Sequence, residues 1–128
     1  MGKVYYNKLI RDNIKDKIIA KGEQCEVRAI TDDAEFEQEL MKKVVAEARG
    51  LIQVCTREEF LDEYADLMAV LDALLRHQEF SEADVKVAIE KNVAEKGLFA
   101  NKHFLHWSSD SAYRSNETFQ GLHITDGK

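Results

Sequence analysis

Proline is absent from all 128 residues, so every turn has to be made from Gly, Asn, Asp and Ser. Cysteine is scarce. Cys25, in a strand-like run, and Cys55, at a turn, have neither the spacing of metal ligands nor that of a disulfide framework, and two reduced thiols are expected. No apolar run approaches the length of a membrane span, and the N-terminal stretch with Lys3, Lys8 and Arg11 lacks the long apolar region of a signal peptide. A cytoplasmic protein with no membrane partner is expected. A basic stripe with interleaved aromatics is missing, which argues against a nucleic-acid partner. There is no Gly-rich phosphate loop, no repeat and no low-complexity tract, and no histidine lies close enough in sequence to either cysteine to mark a nucleophile. His77, His103, His106 and His123 show no zinc spacing. His103 and His106 are three apart, so in a strand-like segment they face opposite sides.

What is present describes one soluble domain, with 45% hydrophobic and 33% charged residues. The formal charge of -6 is unevenly spread: residues 1–30 hold seven Lys/Arg against four acids, and residues 31–90 hold six against sixteen. The acids therefore belong to the central region. Two helical patterns lie there, joined by a short polar turn. Asp32 with Glu35 is a capping-box spacing that opens a helix from about Asp33 to Val54, in which Gly50 is a weak point. Thr56 with Glu59 is a second, opening a helix to about Gln78. So short a connection makes the two antiparallel neighbours.

In the second pattern Phe60, Tyr64, Leu67, Leu71 and Leu74 recur at the spacing of a buried face, with Glu63, Asp66 and Val70 on its flank. In the first, Leu40, Val44, Leu51 and Ile52 make the stripe and Glu47 falls near its centre. An unpaired carboxylate there is expensive, and three acids converging between packed helices repel one another. A bound divalent cation makes the arrangement favourable, and Glu47, Glu63 and Asp66 are the candidate magnesium ligands. The alternative for Glu63 and Asp66 is a solvated helix flank.

Elsewhere, Asp12 is placed to cap a short helix carrying Ile14, Ile18 and Ile19 and stopped by Gly22. Cys25 to Ile30 reads as one brief strand. Ser81 with Asp84 starts a further helix that Gly97 ends, and Lys91, Asn92 and Lys96 crowd its last turns. Those cations suit either the helix macrodipole or a phosphate. Phe99, Phe104, Leu105 and Trp107 are expected to return to the core as a short strand or extended segment, ahead of a polar stretch from Ser108 to the end.

YNKLIRDNI, KKVVAEARGL, DEYADLMAVLDAL and EKNVAEKGLFANKHFLHW, in that order and spacing, resemble the MazG-like all-α nucleotide pyrophosphohydrolases, in particular the short branch that cleanses nucleotide pools. The likeness covers residues 4 to about 107. It implies a mainly α fold, an antiparallel helical bundle of the all-α NTP pyrophosphatase type with one or two short β elements, and a domain over residues 1–107 with a polar extension at 108–128. It also implies magnesium, or manganese in its place, on Glu47, Glu63 and Asp66. Lys8, Arg11, Lys91, Asn92 and Lys96 become candidate substrate contacts, and the implied reaction splits a nucleoside triphosphate or related phosphoanhydride into a monophosphate and pyrophosphate. A homodimer or homotetramer is implied as well, in agreement with apolar flanks that three long helices leave to cover. The chain departs from that family at Ala46 and Gly50, which stand where the first motif carries its first and third glutamates. A second reading follows from this: a nucleotide-binding or purely helical interaction module that kept the scaffold and lost catalysis.

Overall fold

A computed structural model describes residues 2–112 of the chain, which is mainly helical. The elements are α1 (Ile14–Ala20), α2 (Asp33–Ile52), α3 (Arg57–His77) and α4 (Glu82–Lys96). Two compact units divide the chain, Met1–Ile89 and a second from Glu90 onward, with the boundary inside α4. No helix among the described residues is long and apolar enough to cross a membrane. His123 and most of the polar stretch beyond Ser108 lie outside the described residues.

Local chemistry sets the helix ends. The Asp32 carboxylate accepts from the Glu35 N–H at 3.0 Å, and the Thr56 hydroxyl accepts from the Glu59 N–H at 3.1 Å. Each satisfies a donor that the first helical turn would leave orphaned. Ser81 and Asp84 cap α4 reciprocally: the Asp84 N–H donates to Ser81 Oγ at 3.1 Å and the Ser81 N–H donates to Asp84 Oδ2 at 3.0 Å. The Ser81 backbone donor holds the Asp84 carboxyl below its ordinary range. At the end of α1 the N–H groups of Gly22 and Glu23 return to the carbonyls of Ile19 and Ile18, a Schellman closure that Gly22 permits at φ 80°. Asp12 does not cap this helix. Asn13 occupies the cap position and makes no side-chain cap bond, its backbone already being helical at φ -92°, ψ -2°.

In the first unit α2 and α3 pack antiparallel. Phe36 near the start of α2 meets His77 at the end of α3 edge-to-face, 5.3 Å between ring centroids, and Gln78 donates to Glu37 beside them. At the other end Gly50 lies against Glu63. The same number of residues separates Phe36 from Gly50 and Glu63 from His77, so the register holds over about 21 Å of helix axis. Leu40, 3% exposed, and Val70, 7% exposed, form the buried centre. Burying each contributes about 1.5–3 kcal/mol.

This core differs from the expected one by a rotation of α3. Val70 is buried and Glu63, Asp66, Leu67, Ala73 and Leu74 are partly covered, whereas Phe60, Tyr64 and Leu71 are exposed. The helix carries apolar residues over more than half its circumference, and α2 engages the side bearing Glu63 and Val70. Ile52, placed in the buried stripe of α2, is also exposed, because the helix ends there and the chain turns through Gln53.

The expected β elements are not formed among the described residues. Residues 23–31 carry no regular structure: the described residues offer no partner strand to supply a ladder, and Arg28 is instead drawn to Glu35 on α2 by a bidentate ion pair. That pairing raises the Arg28 pKa and lowers the Glu35 pKa. In the second unit α4 closes at Gly97, whose N–H donates to Val93 O at 2.7 Å at a φ of 72°. Phe99, Phe104, Leu105 and Trp107 follow, exposed and without strand structure, so the expected return to a core is not seen. Phe104 packs locally on the ring of His106, 5.1 Å between centroids.

Candidate metal centre

The antiparallel register puts the last turns of α2 against the first turns of α3, and three acids meet there. Glu47, Glu63 and Asp66 each offer a carboxylate oxygen within 4.8 Å of the others. Glu63 and Asp66 are less than one helical turn apart, so both point at the α2 strip that carries Glu47 and Gly50. The side chains of Glu47 and Asp66 are 19% and 48% exposed, so the cluster runs from a sheltered inner edge to an open outer one.

Glu63 is the strained member. Its Oε2 is shut off from solvent with no hydrogen-bond partner among the described residues. Loss of hydration is the largest cause pushing its pKa up, followed by the charge of Glu47 and the hydrogen bond that only a protonated Glu63 could share with it, then the charges of Asp66 and Asp62. Its carboxylate reaches this place because Gly50 has no side chain: a Cβ there would stand 2.8 Å from Glu63 Cδ and Oε2 and 3.0 Å from Oε1.

Two cations flank the three acids. Lys43 Nζ lies 3.8 Å from Glu47 Oε1, one turn back along α2, and Arg11 Nη1 lies 3.5 Å from Asp66 Oδ1. Arg11 was among the residues expected at the site. Lys43 was not, although its i,i+4 spacing to Glu47 was available to mark it. Lys8 is exposed with its ammonium 5.4 Å from the Tyr6 ring centroid. Lys91, Asn92 and Lys96 are exposed on the last turns of α4, in the second unit. Cys25 and Cys55 are free and exposed.

An orphaned oxygen, a cradle without a Cβ and an all-oxygen donor set together fit a hard divalent cation. Glu47, Glu63 and Asp66 are the residues that would hold such an ion. Comparison with protein families, with curated proteins and with solved structures finds no match to the chain.

Proposed function

We propose that the chain is a magnesium-dependent nucleoside triphosphate pyrophosphohydrolase of the all-α type, which hydrolyses the triphosphate to a monophosphate and pyrophosphate. The observation that carries this reading is the convergence of Glu47, Glu63 and Asp66 from two helices around an oxygen of Glu63 that has no hydrogen-bond partner among the described residues. Three carboxylates against two flanking cations leave negative charge uncompensated. Such an arrangement is costly unless a cation completes it.

Glu47, Glu63 and Asp66 would hold magnesium, which supplies charge neutralisation and polarisation of a phosphoanhydride. Arg11, 63% exposed at its side chain, has a planar fork able to leave Asp66 for phosphate oxygens. Lys43 fixes Glu47 along α2. Ala46 and Gly50 contribute no side-chain oxygen, so three carboxylates would hold a divalent cation more weakly than five.

Pyrophosphate release measured across a panel of nucleoside triphosphates with magnesium or manganese tests the activity. Turnover in the wild type that is lost in Glu63→Gln is expected. Silence across the panel in a protein that binds the metal rejects the hydrolase and leaves the helical binding module. Asp66→Asn tests the site itself: the metal raises the melting temperature of the wild type by mass action and does not raise that of the variant.

A further inference from the structure

The resemblance makes Gly50 a lost ligand, a position where a glutamate has gone and nothing has replaced it. The geometry points to something else. We propose that Gly50 is a positioning residue, whose missing side chain is the seat that holds the Glu63 carboxylate against α2 and so completes a three-carboxylate metal site with Glu47 and Asp66. This deepens the metal-dependent reading above and rests on it.

Three observations carry it. The Glu63 carboxylate occupies the volume a Cβ would fill, with Cδ and Oε2 at 2.8 Å and Oε1 at 3.0 Å, well inside the 3.5–4.0 Å at which carbon atoms pack. All three terminal atoms of Glu63 make that approach, so the whole carboxylate is seated there. No other described glycine has any atom within 4 Å of its Cβ position, which makes the fit at Gly50 particular to this place. Gly50 also lies within the last turn of α2, which continues to Ile52, and it is not among the glycines at positive φ, so no left-handed backbone calls for a glycine there. A glycine there is less favourable than alanine for the helix, so its presence calls for a local reason, and contact with Glu63 is the reason the structure offers.

The consequence is that any side chain at position 50 displaces Glu63. Because the displaced atoms are the free end of a flexible side chain, the fold tolerates the change and the metal site does not. The test is Mn2+ titration by calorimetry, with metal-free thermal melting alongside, on the full chain as wild type, Gly50→Ala, Glu63→Gln and the double variant. Gly50→Ala is expected to weaken Mn2+ binding by about tenfold or more, the range for losing a group that orients a ligand. Its metal-free melting temperature should equal or exceed that of wild type. In the Glu63→Gln background the alanine should add nothing to the loss. A metal-free crystal structure of Gly50→Ala should show the Glu63 carboxylate swung off α2. If Gly50→Ala binds Mn2+ as tightly as wild type while Glu63→Gln does not, the role of Gly50 is wrong and the metal site stands. If wild type binds no Mn2+, the metal site falls and the role of Gly50 with it.

Discussion

Glu63 sets the behaviour of the site at the scale of the residue. Its pKa is raised, so the folded protein binds that proton more tightly than the unfolded chain does. The stabilisation is complete below the ordinary carboxylate range and is lost as pH rises through the raised value. Glu63→Gln should therefore gain in metal-free melting temperature over wild type as pH rises, with the gap narrowing as the pH falls into the ordinary carboxylate range. A metal-free difference that does not change with pH would contradict this. The three acids were legible in the sequence because helical spacing alone puts Glu63 beside Asp66 and Glu47 on an inward strip. The seating of Glu63 in Gly50 was not, because it depends on how far α3 is rotated against α2, and no spacing within one helix fixes that. The same geometry bears on restoring the glutamates at positions 46 and 50. Position 46 is exposed and open to a longer side chain, whereas one at position 50 collides with Glu63. Ala46→Glu alone should bind Mn2+ at least as tightly as the double restoration in calorimetry, and a tighter double variant would show that Glu63 finds another way to the ion.

For the individual elements, the capping residues carried most of what the sequence could say. Asp32, Thr56 and Ser81 each precede a helix and each bonds the N–H three residues on, because a cap is a local contact that needs no tertiary partner. Thr56 matters most for the site, since it starts the helix that presents Glu63 and Asp66. Thr56→Ala should cost about 1 kcal/mol in urea unfolding, with an unchanged m-value. Leu40→Ala, at the buried centre of the α2–α3 contact, should cost about 2–5 kcal/mol on the same measurement. A loss below about 1 kcal/mol would mean that the helix pair is not what holds the first unit together. The strand expected at Cys25 to Ile30 failed for the complementary reason. Alternation describes a face but not a partner, and here Arg28 of that stretch is paired with a helix.

For the molecule as a whole, the question is what covers the apolar surface that the α2–α3 pair leaves open. On α3, Phe60, Tyr64, Met68 and Leu71 fall three or four apart and all are exposed, with Phe60 and Tyr64 stacked at 6.4 Å between ring centroids. Met41 and Val45, four apart on α2, are exposed as well. The sequence marked α3 as strongly apolar but could not tell an inward row from an outward one, since both rows obey the helical period. Only contact with α2 separates them. A continuous row of aromatic and aliphatic side chains of this length is what protein surfaces use for association, and burying it against a second copy removes the cost of leaving it in water. A homodimer or larger species is therefore expected in sedimentation at micromolar concentration, with a melting temperature that rises with protein concentration. Replacing Tyr64 and Met68 together with lysine puts two ammonium groups in that row. The pair should shift the protein to monomer and remove the concentration dependence, while a metal response persists because neither residue belongs to the acid cluster. If wild type sediments as a monomer with a melting temperature independent of concentration, the outward face of α3 is not a self-association surface.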